Sequence, residues 1–258
     1  RTHRVSPAAI EPVCCIAQFD SSGKGQIWAG LTDIFGLRRV LSVYLGIPEN
    51  NIRVFQPVLG GCFGGKSSST RGSLCCIAAL LSRITGKPVK LINTWQEELL
   101  AGRRRIPMEF KMKFGVKADG TVEAKQTTMT ANTGAYLGVG ELIYTTAVRR
   151  HESLYRFNNI SAEAFLVYTN SSPASSYRGF GNPQGHFAVE SMMDMAAEKL
   201  GLDPVEIRLK NATHVGDLTA HGWKIESCGL TECIETATKK AGWKEWKKNK
   251  KTGTGLGI

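Results

Sequence analysis

Four of the six residues from Gly60 to Gly65 are glycines, and this run constrains the fold more than any other stretch of the chain. A glycine inside a helix or strand costs about 0.5–1 kcal/mol relative to alanine, so the segment reads as a loop in which positive φ is accessible. Ile52–Val58 before it reads as a strand, and Leu74–Leu81 after it as part of a helix stopped by Gly86 and Pro88. With Lys66 and Ser67 the run fits the pattern G-x-x-x-x-G-K-[ST]. In that reading the loop amides would cradle phosphate, Lys66 would neutralise it and Ser67 would ligate magnesium. Two features count against it. A magnesium-organising Asp should close a later apolar strand, yet Val89–Asn93 and Phe165–Asn170 both end in Asn. Phe63 is also bulky for a loop that wraps phosphate. A glycine turn with no ligand at all is the third alternative.

The rest of the chain alternates irregularly between strand and helix signals. Ile16–Phe19, the turn Asp20-Ser21-Ser22-Gly23 and Gln26–Trp28 predict a hairpin. Leu37, Val40, Leu41 and Tyr44 mark one face of a helix ended by Gly46 and Pro48. Val89–Asn93 reads as a short strand. Phe110, Met112, Phe114 and Val116 alternate with Lys111, Lys113 and Gly115, and Asp119-Gly120 supplies a tight turn before Val122 and Ala124. Ala162–Thr169 is a further strand, and Gln184–Leu200 a long helix. Asp203-Pro204-Val205-Glu206 opens another helix with an N-cap Asp and Pro at the first position. This mixture predicts an α+β fold rather than a regular βαβ array.

Composition excludes several classes. The 258 residues are 42% hydrophobic and 21% charged, enough for a real core and unlike a disordered chain. No apolar run reaches the roughly 20 residues of a membrane span, so no membrane partner is expected. The seven cysteines show no C-x-x-C spacing, and reduced thiols in a cytoplasmic protein are expected. Of the +11 net charge, +6 falls between Lys239 and Lys251, where seven lysines and one Glu surround Trp243 and Trp246. That stretch reads as a solvated helix face with tryptophans turned inward, and no nucleic-acid partner is expected.

A second segment changes the reading of the glycine loop. Tyr177-Arg178-Gly179-Phe180-Gly181-Asn182-Pro183-Gln184-Gly185 resembles the (Phe/Tyr)-Arg-Gly-Phe-Gly-x-Pro-Gln-Gly segment of the molybdenum hydroxylases, the family of xanthine dehydrogenase and aldehyde oxidase. Gly60–Lys66 resembles that family's first cofactor loop. Glu11-Pro12, Tyr44–Pro48, Gly115–Gly120 and Leu202–Asn211 also look like family sequence, so the resemblance runs along the whole chain.

The resemblance implies molybdopterin as cofactor, plain or in its cytosine dinucleotide form. It also implies hydroxylation of an electron-poor carbon with water-derived oxygen, and electron transfer to iron–sulfur and FAD-bearing subunits or domains. Gly61, Phe63, Gly64, Arg178, Gln184 and Thr32 would contact the cofactor, with Phe63 and Arg178 on its metal side. Phe180 would stack on a planar substrate, and Ser67 and Thr146 would line the substrate pocket. Where family members commonly carry a glutamine near the metal, this chain has Thr32. Ser67 and Thr146 replace a Glu and an Arg that grip purines in xanthine-using enzymes, so an aldehyde, an aromatic or an N-heterocycle is the expected small-molecule substrate. The family's general-base glutamate lies far towards the C-terminus and has no counterpart here. The run Gly253–Ile258 looks like the lead-in to a second half, and the chain starts without Met. Residues 1–258 are therefore expected to be the first half of a molybdopterin-binding domain, as one body or two intertwined α+β subdomains. The remaining C-terminal half would be a partner, and the fragment alone would be inactive. A non-catalytic binding or assembly module of the same descent is the alternative.

Overall fold

The computed structural model describes residues 1–152 and 154–248, with side chains described throughout except at 68–71 and 246–248. The lysines beyond 248 and the Gly253–Ile258 run lie outside the described residues. The architecture is α+β, with two larger sheets and their helices arranged in sequence and a small two-stranded sheet whose strands flank the second in the chain.

The first sheet has the order β3-β2-β1-β4, formed by β1 (Cys14–Phe19), β2 (Gly25–Ala29), β3 (Ile52–Phe55) and β4 (Val89–Ile92). β1 and β2 make the expected antiparallel hairpin, its turn held by Asp20 Oδ1, which accepts from the amides of Ser22 and Lys24 at 2.9 and 3.0 Å. α1 (Ile34–Leu45) carries the chain over to β3, which pairs in parallel with β2. Gly46 ends α1 at a φ of 64°. α2 (Ser68–Thr85) follows the glycine loop. Alternation places Cys15, Ala17, Ile27 and Ala29 on one sheet face, where they meet Leu37 and Leu41 of α1 and Cys75, Ala78 and Ala79 of α2. Each fully buried leucine there contributes roughly 1.5–3 kcal/mol. The expected strand through Val58 stops at Phe55, because Pro57 has no N–H to give a ladder.

α3 (Trp95–Ala101) begins at a Thr94/Glu97 capping box, and the two-residue strand β5 (Arg104–Arg105) follows. The second sheet, β6-β7-β8, consists of β6 (Met108–Val116), β7 (Val122–Gly134) and β8 (Asn159–Tyr168). β6 and β7 are antiparallel, β7 and β8 parallel, with α4 (Gly140–Arg150) in the crossover. The two-residue β9 (Ala174–Ser175) pairs with β5 in parallel. α5 (Asn182–Leu200) buries Gln184, Gly185, Val189, Met193 and Ala197 on one stripe against this sheet and α4. α6 (Pro204–Asn211) starts at Asp203, whose carboxylate accepts from the Val205 amide at 2.8 Å. α7 (Leu230–Lys240) and α8 (Trp243–Lys248) complete the chain. Trp243 turns inward, its Nε1–H on the Asp203 carboxylate at 3.1 Å, while the Trp246 side chain lies outside the described residues.

β7 and α4 both exceed what the sequence suggested. β7 runs ten residues past Ala124 because its inward positions include Lys125 and Thr127, which break the apolar alternation while still being buried. α4 has Val139 at its N-cap and no side-chain acceptor there, so no start signal announces it.

Candidate functional site

Three residues other than glycine have positive φ among the described residues: Ala8 at 45°, Phe63 at 51° and Phe180 at 49°. Such backbone is costly and persists only where its surroundings over-determine it. All three lie in a single neighbourhood, formed by the glycine loop, the segment 176–184 and an N-terminal strap over residues 5–12.

The strap explains most of the glycines. A Cβ at Gly60 would meet Glu11 Cβ at 2.5 Å, one at Gly61 would meet Ala9 Cβ at 3.3 Å, and one at Gly65 would meet Pro7 Cγ at 3.0 Å. Gly64, at φ 96°, faces the second segment instead, with its hypothetical Cβ 2.8 Å from the Ser176 carbonyl oxygen. The glycines at 60, 61 and 65 therefore make room for side chains of the strap, and Gly64 lets two backbones pack closely. They do not wrap a phosphate. The loop's polar groups are also committed. Glu11 Oε2 accepts from the Gly60 amide at 3.1 Å and pairs with Lys66 Nζ, whose side chain is only 3% exposed. Burial raises the Glu11 carboxyl, but the bonds from Lys66 and Gly60 outweigh this and hold it below the usual carboxylate range. The Gly65 amide donates to the Cys62 carbonyl at 2.8 Å. The phosphate reading thus loses its lysine and the amides of Gly60 and Gly65.

The two loops are joined through their backbones. The Arg178 amide donates to the Phe63 carbonyl at 2.9 Å, and Ser176 Oγ donates to the Gly64 carbonyl at 3.0 Å. Phe63 is 48% exposed, and Arg178 is also exposed. Thr32 joins them from the turn after β2: its amide and hydroxyl donate to the Lys66 carbonyl at 2.9 and 3.2 Å. Phe63, Gly61, Gly64, Arg178 and Thr32 therefore share one surface. Ser67 occupies the N-cap position of α2 at the loop's end.

The remaining expected residues are placed differently. Gln184 is buried, with its Oε1 accepting from Arg105 Nη1 at 2.8 Å and its Nε2 donating to the Ile106 carbonyl at 3.1 Å. Its amide is thus engaged within the protein. Phe180 is half-buried and packs on the cluster containing Ile143 and Ala147 of α4. Gly181, at φ 97°, lets the loop approach that helix, since a Cβ there would lie 2.4 Å from the Ile143 carbonyl oxygen. Thr146 stands on the same helix and gives its hydroxyl to the Leu142 carbonyl at 2.7 Å.

Residue-type reasoning missed Arg105, Ser176 and the strap. Arg105 sits in a run of three arginines that matches no motif, and its partners are 73 and 79 residues away. The Glu11-Pro12 likeness was the available sign that the strap mattered. Among the described residues no group of three His, Cys, Asp or Glu is placed to hold a metal ion, and no helix is long and apolar enough to cross a membrane. All seven cysteines are free.

Residues 1–212 match the molybdopterin cofactor-binding domain model. The chain is 35% identical over 241 residues to the nicotinate dehydrogenase large molybdopterin subunit of Eubacterium barkeri, covering 93% of this chain and 56% of that protein. It is 38% identical over 210 residues to the xanthine dehydrogenase molybdenum-binding subunit of Escherichia coli O157:H7, covering 81% of this chain and 28% of the relative. Quinoline 2-oxidoreductase from Pseudomonas putida 86 superposes with a TM-score of 0.90 at 26% identity, over 96% of this chain and 32% of that one. The chain thus spans between about a quarter and about half of the length of these relatives. With a family model matched along most of its length and the two signature loops meeting in space, the chain belongs to the molybdopterin cofactor-binding domain family.

Proposed function

We propose that this chain is the first half of a molybdopterin-binding domain and that its two loops form one wall of the cofactor site in an oxidoreductase. The observation that carries the reading is the bond from the Arg178 amide to the Phe63 carbonyl, which joins two strained loops at two exposed residues. These residues fit a molybdenum–pterin group, in plain or cytosine dinucleotide form. Arg178 offers a charge-assisted donor to anionic oxygens. Thr32 presents a hydroxyl beside the loop, and Gly61 and Gly64 allow the Phe63 backbone to come close. Gln184 acts from below, bracing the second loop. When bound, such a group supplies the two-electron redox chemistry that side chains cannot perform.

The substrate would be an aldehyde, an aromatic or an N-heterocycle, hydroxylated with oxygen from water. Phe180 offers a face for a planar ring, worth roughly 0.5–1.5 kcal/mol beyond area burial. Ser67 and Thr146 lack the paired polar reach that a purine needs, and the Thr146 hydroxyl is already spent on its own helix. Two of the relatives are named for nicotinate and quinoline, which supports an N-heteroaromatic ring. The proton acceptor and the opposite wall of the site belong to the remainder of the molybdenum subunit. Iron–sulfur and flavin partners would carry the electrons away.

The test is metal analysis of the protein purified in its natural assembly, with a dye-reduction assay on aldehydes and N-heterocycles. Molybdenum with turnover supports the reading. An assembly without molybdenum or turnover favours a non-catalytic binding or assembly module instead. The isolated 258-residue chain should carry little metal, because a cofactor held from two sides takes its affinity from both.

A further inference from the structure

We infer that Arg105 is a positioning residue that locks the two loops into one geometry for the cofactor, an inference that rests on the reading above. Arg105 lies in β5, where it pairs with Ser175 just ahead of the second loop, and its amide donates to the Val5 carbonyl of the strap at 2.9 Å. Its guanidinium spans the loop. Nη1 donates to Gln184 Oε1 at 2.8 Å, Nη2 donates to the Arg178 carbonyl at 2.8 Å, and Cζ lies 4.3 Å from the centroid of the Tyr177 ring. Arg178 is thus held at both ends, its carbonyl by Arg105 and its amide by the Phe63 carbonyl. The route from Arg105 to Phe63 passes through one residue. Phe63 occupies a φ of 51°, a state its neighbours must enforce, so slack at Arg178 should be felt in the first loop.

Only a planar fork serves both acceptors. A lysine at 105 keeps the charge, but its compact ammonium cannot reproduce the parallel reach to Gln184 and Arg178 or the stack on Tyr177. Gln184 is buried, so its oxygen would lose its charged donor where water cannot easily replace it. The role is distinct from catalysis, since Arg105 acts through Arg178 and Phe63.

The test uses Arg105→Lys in the natural assembly, with hydrogen exchange on peptides covering 61–66 and 176–184, molybdenum content, melting temperature, and kcat and KM. The expected result is faster exchange in both segments with β1 and α1 unchanged and a melting temperature lowered by only several degrees. Molybdenum content should fall by roughly tenfold, the effect of losing one charged hydrogen bond. On the metal-loaded fraction, kcat should fall while KM holds. Tyr177→Leu, which removes the stack and leaves the hydrogen bonds, should give the same pattern at smaller amplitude and covers the case in which Arg105→Lys does not fold. Unchanged exchange at 61–66 in these variants would overturn the inference. Raised exchange with full molybdenum and unchanged kcat would overturn it equally, by leaving a clamp with no bearing on the cofactor. A wild-type assembly that itself lacks molybdenum overturns the underlying reading, and the control shows this before any variant is compared.

Discussion

Gly64→Ala isolates the contact between the two loops. At Gly64 the backbone has a φ of 96°, and a Cβ would stand 2.8 Å from the Ser176 carbonyl oxygen and 2.9 Å from its carbon. Forcing an L-residue into left-handed backbone costs about 1–2 kcal/mol. The clash is with backbone, so relief requires the loops to part. That movement strains the bonds Ser176 Oγ to Gly64 O and Arg178 N to Phe63 O, each worth about 1 kcal/mol net. Losing both bonds brings the total to about 3–4 kcal/mol. Gly46→Ala is the matched control, since Gly46 has a φ of 64° with nothing within 4 Å of a Cβ, and only the conformational cost of about 1–2 kcal/mol applies. For a chain of this size each kcal/mol lowers the melting temperature by roughly 2–4 °C. Calorimetric melting of the two variants beside wild type should therefore place Gly64→Ala well below Gly46→Ala. If the two lose the same stability, the loops do not meet as described, and the site has no wall.

Three other outcomes follow from the same contacts. Glu11→Ala leaves Lys66 buried without its carboxylate, which should cost about 2 kcal/mol or more, and adding Lys66→Met should recover part of the loss; denaturant midpoints of the single and double variants check this. His151 is buried, and burial first, then the Lys125 charge, pushes its pKa down to about 3. The unfolded chain gains that proton near pH 6.5 and the native state does not, so this stability is present above pH 6.5 and is lost as pH falls towards 3. The slope is roughly 1.4 kcal/mol per pH unit, and urea unfolding at pH 7 and 4.5 should show a smaller acid loss in His151→Gln than in wild type. Mg-ATP should give a flat calorimetric trace, because Lys66 Nζ is committed to Glu11; micromolar binding abolished by Lys66→Ala would revive the phosphate reading.

Much of this molecule is legible in local pattern. The hairpin, α1, α2, β6 and α5 carry apolar periodicity, and Gly46 and Asp203 mark ends that the backbone respects. What escaped has physical causes. α3 does carry a signal, the Thr94-x-x-Glu97 box, but its seven residues are too short for periodicity to register. α4 lacks a cap, and β7 hides its buried face behind Lys125 and Thr127. The glycine loop shows the limit most clearly. Its letters fit a phosphate loop, yet its glycines answer to Glu11, Ala9, Pro7 and Ser176, and those contacts span 49 to 112 residues. Pattern can say that a glycine is needed, but the fold decides what presses against it. Gln184 stood out in its segment, but its burial and its bracing by Arg105 were not legible there.

The most direct test of the account is the molybdenum and pterin content of this protein in its natural assembly, measured for wild type and for Arg178→Ala. The account predicts stoichiometric metal and pterin in wild type and a sharp loss of both in Arg178→Ala with the melting temperature retained. Wild-type protein free of molybdenum, or an Arg178→Ala variant that keeps its full complement, would contradict it.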